Sequence, residues 1–394
     1  ALARLHQSLD EVEAETDDSL ERVLRAMERH IEISLDSLTA RGDYYAAPLE
    51  LAVLPEENRA LLKQEYLGMF KRFRGYIRDG IAEGVIRDCH TTSTARALLS
   101  ALDWSFYWLY EIPREQARGV VNVLRDLLTH GLLSSPEGAA GGDAWTIPTL
   151  PAEEEAFDRE AQNRLKQEAF LKAGTRCFNQ KGFSGTSLDE IAEQLQVSKG
   201  AFYYHFANKE ALLTQCFDYT LDQLEQAVAR IEQLEAPPAA KLEAACRHIF
   251  VLQNSDQGPL VHFNAITALP PEVRQRLLGR LASVHATLEN YVAQAAEARQ
   301  FRDIPPWIVI QLLTGALNAA MDRLERSRDD DDLLAHLGAL PPLLSQLNRG
   351  LQLASHAKGL LLLLAGAATA GASWADASGA RAIATAAFAA AAQP

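Results

Sequence analysis

Between Thr186 and Lys209 the chain gathers a set of groups that could read a nucleic acid. Thr186, Ser187, Ser198, Tyr203 and Tyr204 bring hydroxyls, Lys199 and Lys209 ammonium groups, His205 an imidazole, and Gly200 and Ala201 almost no side chain. Their spacing predicts three helices. The first, over 163–181, carries Leu165, Ala169, Phe170, Ala173 and Phe178 near one face and stops at Gly182. The second, over 188–195, buries Leu188, Ile191, Ala192 and Leu195; Ser187 is its expected cap, with Glu190 reaching back in a capping box. Gln196 and Val197 make a tight turn, and Ser198 caps a third helix running to about 205. Two short helices joined this way suit the major groove, because the second can lie in it while the first crosses the phosphate backbone.

Other reactive groups form no such pattern. Trp104, Phe106, Tyr107, Trp108 and Tyr110 make the densest aromatic run, which could line an apolar ligand cavity or belong to a core or a helix interface. His262, Phe263 and His285 could add polar handles to a second cavity, or be ordinary packed residues. The adjacent Cys89 and His90 lack a second ligand pair, and the four cysteines are far apart, so neither a metal site nor a cofactor is expected. No nucleophile elbow, Walker loop, HExxH helix or Rossmann glycine fingerprint occurs, which disfavours an enzyme.

The elements that must hold these groups are helical throughout. Apolar residues recur at three and four positions and no run alternates at period two for more than a few residues, so the expected fold class is all-α. The formal charge of -14 is wrong for a general nucleic-acid binder, yet residues 159–210 hold eight Lys or Arg against six Asp or Glu. A mildly basic unit therefore sits inside an acidic protein. With no basic segment followed by an apolar run at Ala1, and with separated cysteines, a cytoplasmic setting is expected.

The chain also resembles itself. Leu54-Pro55-Glu56 is similar to Leu269-Pro270-Pro271, and the same offset of 215 pairs Leu62 with Leu277, Tyr76 with Tyr291, Arg87-Asp88 with Arg302-Asp303, and Leu98 with Leu313. Register kept over about fifty residues points to a duplicated helical domain. The expected domains are a first effector and dimerisation domain at 1–133, a linker rich in Pro, Gly and Ser at 134–158, a helix-turn-helix unit at 159–210, a second effector and dimerisation domain at 211–352, and an Ala/Leu/Gly-rich tail at 353–394 whose apolar run is too short for a membrane span.

Thr186-Ser187-Leu188-Asp189-Glu190-Ile191-Ala192, then Val197 through Phe206, then Asn208-Lys209-Glu210-Ala211-Leu212-Leu213, resemble the TetR family of bacterial regulators over about fifty residues. His205 stands where that family usually has Tyr, and Ala207 where Pro is common. With the chemistry above, the resemblance implies base-edge contacts from Lys199, Gly200, Ala201 and Tyr204, and phosphate contacts from Thr186, Ser187, Tyr203, His205 and Lys209. Phe202 and Phe206 would fill the head's core.

The resemblance further implies a transcriptional regulator, by analogy a repressor, whose partners are double-stranded operator DNA and a small, largely apolar effector. Family members dimerise through the last two helices of the effector domain, here about 92–131 and 306–350, so one chain could pair internally as a pseudo-dimer, or two chains could form a homodimer. Leu9-Asp10-Glu11-Val12 aligns with Leu221-Asp222-Gln223-Leu224, just after the helix-turn-helix, so a matching first head is expected upstream of this numbering. The competing expectation is a helical sensor or partner-binding protein whose head no longer engages DNA.

Overall fold

A computed structural model describes residues 2–38, 56–109, 112, 114–134, 159–254 and 258–318. Most of the linker expected at 134–158, the last helix of the second effector domain and the tail at 353–394 lie outside the described residues. Twelve α-helices follow one another among the described residues. They are α1 (Leu2–Glu15), α2 (Ser19–Leu38), α3 (Glu56–Glu83), α4 (Thr91–Trp108), α5 (Arg114–His130), α6 (Arg159–Gly185), α7 (Leu188–Gln194), α8 (Lys199–His205), α9 (Lys209–Glu232), α10 (Pro238–Asn254), α11 (Pro271–Glu297) and α12 (Pro306–Asn318). The only extended pairing described is an isolated bridge between Leu133 and Phe301. The all-α expectation is met.

Each half is held by faces written at helical spacing. Leu5, Leu9 and Val12 line the inner face of α1, Val23, Met27 and Ile31 that of α2, and Met69, Phe73 and Ile77 that of α3, all buried. Full burial of one such side chain contributes about 2 kcal/mol, enough that the i, i+4 stripe decides which way each helix turns.

The chain passes through one particular turn twice. After α3, Gly84 takes a left-handed φ of 75°, and the amides of Val85 and Ile86 both donate to Gly80 O at 3.0 and 2.9 Å. After α11, Arg299 takes φ 57°, and the amides of Gln300 and Phe301 both donate to Ala295 O at 2.8 and 3.1 Å. Each position of the second turn is the first plus 215, and α3/α11 and α4/α12 begin at positions with the same separation. Glycine suits the left-handed site; arginine there costs about 1 kcal/mol, which the two bonds to Ala295 help offset.

Helices α4 and α12 cross and join the halves. Ser100 Oγ donates to Gly315 O at 2.7 Å, Trp104 Nε1 donates to Gln311 Oε1 at 2.9 Å, and Trp108 meets Trp307 edge-to-face with centroids 5.7 Å apart. Moving four residues along one helix moves four back along the other, so they run antiparallel. Gly315 permits the close approach: a Cβ there would lie 2.6 Å from Ala101 Cα and 2.7 Å from Trp104 Cβ. Beside the crossing, Arg302 Nη2 pairs with Asp126 Oδ2 at 2.5 Å and its amide donates to Leu132 O at 2.8 Å.

Candidate nucleic-acid interface and effector cavity

The short helices α7 and α8 stand on an aromatic platform. Phe170 of α6 packs against Phe202 and Phe206, with centroids 5.5 and 6.2 Å away, and both of those rings are fully buried, as expected. Ile191 and Ala192 bury α7 from the other side. In the turn, Gln196 takes φ 55° and the Val197 amide donates to Ala192 O at 3.0 Å. Ser198 caps α8 as its position suggested, its Oγ accepting from the Ala201 amide at 3.2 Å. Asn208, not foreseen as a cap, does the same for α9 by accepting from Ala211 N at 2.7 Å. The expected capping box does not form. Ser187 is the N-cap residue but makes no side-chain cap bond, and Glu190 pairs with Lys181 of α6 instead.

What remains outside is one polar and aromatic face of α8. Lys199, Gly200, Ala201, Tyr203, Tyr204 and His205 are all exposed, Tyr204 to 87%. A large aromatic ring so open to water gains nothing from the fold. Gly200 has open space where a Cβ would stand, so its smallness relieves no crowding inside the protein and leaves room outside it. His205 leans on Phe170 at 5.3 Å and on Tyr204 at 5.4 Å, which fixes its ring at the edge of the face.

Two expected phosphate-contacting groups are engaged within the head. Thr186 is buried and its Oγ1 donates to Gly182 O at 2.7 Å. Lys209 Nζ donates to Thr186 O at 3.1 Å and Ser184 O at 3.4 Å, and lies 4.6 Å from the Phe183 ring centroid. Both groups tie the α6–α7 turn. A residue missed by sequence reasoning, Asp189, receives Lys199 Nζ on one oxygen at 2.6 Å and Tyr203 OH on the other at 3.4 Å. That bond holds the Lys199 ammonium above its ordinary pKa.

Of the residues expected to line effector cavities, those whose side chains are described do not surround a common space. Trp104 and Phe263 meet edge-to-face at 6.3 Å, but where the halves join rather than around a space. Trp108 meets Trp307 in the same seam, and Tyr107 is carried by the same helix. His262 precedes the 3₁₀ turn Phe263–Ala268, its amide donating to Asn179 Oδ1 at 2.9 Å, while His285 lies on α11 with Nε2 3.2 Å from Thr314 Oγ1. Burial pushes the His285 imidazole down to about 4, so it is neutral near pH 7.

A small cavity of about 10 Å³ instead opens inside the first half, among Leu9, Met69, Phe73 and Leu102 with Ser8 and His30. His30 and Asp103 are both buried, with Nε2 3.4 Å from Oδ1. The cavity has room for roughly one water. Among the described residues no group of three or more His, Cys, Asp or Glu could hold a metal ion, and no helix is long and apolar enough to cross a membrane.

Twelve helices, a buried aromatic platform and two short helices with an open outer face define an all-helical protein with a helix-turn-helix head. Residues 170–216 match the bacterial regulatory proteins of the tetR family, and residues 16–132 match the tetracyclin repressor-like C-terminal domain. The chain thus carries a tetR-family head and, ahead of it, a tetracyclin repressor-like C-terminal domain. It is 41% identical over 68 residues to the uncharacterized HTH-type transcriptional regulator YerO of Bacillus subtilis (strain 168), an alignment spanning 17% of this chain and 24% of YerO. It is 25% identical over 167 residues to the HTH-type transcriptional repressor DhaR of Mycobacterium sp. (strain GP1), covering 41% of this chain and 84% of DhaR. Among solved structures, AibR in complex with isovaleryl coenzyme A and operator DNA aligns at 25% identity and a TM-score of 0.37, over 44% of this chain and 94% of that one.

Proposed function

We propose that the protein is a sequence-specific DNA-binding transcriptional regulator, a cytoplasmic repressor rather than an enzyme, released from operator DNA by a small, largely apolar effector. The observation that carries this reading is the open face of α8, where Lys199, Tyr203, Tyr204 and His205 project from a helix whose opposite side is fixed by Phe202 and Phe206. Ser187, whose hydroxyl makes no cap bond, and the partly engaged Lys209 flank it as phosphate contacts. Fluorescence anisotropy with a duplex selected by the protein from a random pool tests the reading. Tyr204→Ala, which disturbs no buried contact, should weaken binding at least tenfold without lowering the unfolding temperature. Equal affinity of variant and wild type, or wild-type binding that ignores salt, would remove the α8 face from the DNA.

We further propose that the two effector domains arose by duplication and pair as an internal pseudo-dimer. A two-fold interface sets residue i against j′ and j against i′. At an offset of 215, Gly315 is the counterpart of Ser100, Gln311 of Arg96 and Trp307 of Thr92, so the crossing is centred on equivalent positions of the two halves. The repeated turn at Gly84 and Arg299 supports the same reading, as does the order of the matches, with a C-terminal-type domain preceding the head.

The effector site favoured by this architecture is the cavity of the first half. Ser8 and His30 put hydrogen-bonding capacity into an otherwise apolar wall, with Asp103 Oδ1 3.4 Å from His30 Nε2; the counterpart of Asp103 in the second half is the uncharged Asn318. An apolar molecule with one neutral oxygen suits such a wall. At about 10 Å³ the site must widen to admit it, and that widening spreads the helices that carry α4 against α12.

A further inference from the structure

Lys199 and Tyr203 are not presented freely on the α8 face. Both reach back to one carboxylate, Asp189 in the first turn of α7, using its two oxygens separately at 2.6 and 3.4 Å. The contact is local to the surface, with the Lys199 side chain 68% and the Asp189 side chain 45% exposed, so water and DNA can reach both. Glu190, the neighbouring acid, is turned away to Lys181. Asp189 is therefore the carboxylate that both candidate DNA-reading groups hydrogen-bond, while Glu193, one turn further along α7, adds a more distant negative charge beside Lys199.

Such a carboxylate works against a phosphate backbone in two ways. It neutralises Lys199 locally, so a phosphate must compete for an ammonium already held. An exposed pair of this kind is worth a factor of about 2 to 5 in an equilibrium. It also brings a negative charge to a surface that phosphates approach, and at ionic strengths near 0.1 M that repulsion reaches about 10 Å. A base pair in the major groove offers what a phosphate cannot. Guanine O6 and N7 accept from a lysine, and the cytosine N4 amino group donates to a carboxylate. One G·C pair, or two adjacent pairs, could take up the lysine and the aspartate together.

We propose that Asp189 is a specificity-determining residue of the DNA face, withholding Lys199 and Tyr203 from the phosphate backbone and releasing them to a base edge that can also satisfy its own carboxylate. This rests on the DNA-binding reading above and adds to it a penalty against wrong sequences. The test uses the full chain, a random-sequence duplex and a duplex selected by the wild type, with anisotropy recorded over a salt series. Asp189→Asn keeps the side chain's size and removes its charge. The expected result is random-duplex affinity raised about 3- to 10-fold with a log–log salt slope steeper by about one, while selected-duplex affinity rises less or falls. Adding Lys199→Met to Asp189→Asn should cancel the gain on random DNA. Unchanged affinity and slope on random DNA, or an equal gain on both duplexes, would overturn the inference while leaving DNA binding intact. Wild-type protein that binds neither duplex would strike down the DNA-binding reading and this inference together.

Discussion

At the scale of single residues, the head shows how a side chain's type underdetermines its use. Lys209 and Thr186 have the chemistry of phosphate contacts, but each sits within reach of a carbonyl the fold leaves open, at the α6–α7 turn, and binds there. Asp189 has the wrong charge for DNA and nevertheless stands at the centre of the face. The buried His285 and the half-buried His248 of the second half carry a prediction of their own. Desolvation holds His285 at about 4, and desolvation together with the Arg230 charge holds His248 at about 4, against an ordinary value of 6.5. The folded-state pKa lies below the unfolded one, so between about pH 6.5 and pH 4 the unfolded chain binds protons that the folded chain does not. Their contribution is complete above pH 6.5 and is lost as the pH falls, at about 1.4 kcal/mol per pH unit for each fully shifted histidine. Thermal unfolding at pH 7.5, 6.5, 5.5 and 5.0 should show a falling transition, and His285→Gln should fall less steeply than the wild type. Parallel curves for the two proteins would mean that His285 takes up its proton as readily in the folded state as in the unfolded one.

Among elements, the crossing of α4 and α12 depends on one missing side chain. Gly315→Ala would set a methyl against Ala101 Cα and Trp104 Cβ, and Ala101 Cα belongs to a helix backbone that cannot step aside locally. The helices must separate, loosening the Ser100–Gly315 and Trp104–Gln311 bonds, at a cost of about 1–3 kcal/mol. Gly279→Ala in α11, where a Cβ meets nothing within 4 Å, should by contrast stabilise by roughly 0.5–1 kcal/mol. Urea unfolding of the two variants separates the effects, and a Gly315→Ala protein as stable as the wild type would show that the crossing is not close-packed. Local pattern made the elements themselves readable. The Ser198 cap, the break near Gly182 and the bounds of α7 and α8 follow from neighbours a few residues away, where turn and cap chemistry acts. The Ser187–Glu190 box failed because a lysine on another helix competed for Glu190, and sequence spacing carries no record of that. Trp104 and Trp108 were legible as buried, but periodicity says that a face is covered and not by what; here Phe263 and Trp307 cover it.

For the molecule as a whole, the question is whether a face used for pairing is still available. The seam between the halves already contains two indole contacts, the Ser100–Gly315 bond at its centre, and the Arg302–Asp126 pair at its edge. Beside it, Ser134 N donates to Gln300 O at 3.1 Å and Leu133 bridges Phe301, so the segment after α5 is stitched to the one before α12. A second chain could use the same surfaces only by opening this seam, exchanging intramolecular contacts for equivalent ones and adding the entropic cost of association, several kcal/mol at ordinary concentrations. The net charge of -14 works in the same direction, since two such chains repel. The full chain is therefore expected to sediment as a monomer of 43.3 kDa, with no dependence on concentration from 1 to roughly 50 µM. Gly315→Ala, by weakening the seam, should introduce a concentration-dependent heavier species, because α4 and α12 freed from each other expose the apolar faces that equivalent helices of another chain can cover. A wild-type boundary at twice the monomer mass throughout that range, lost on Gly315→Ala, would instead mean that the α4–α12 crossing forms between chains, and the internal pseudo-dimer would have to be given up.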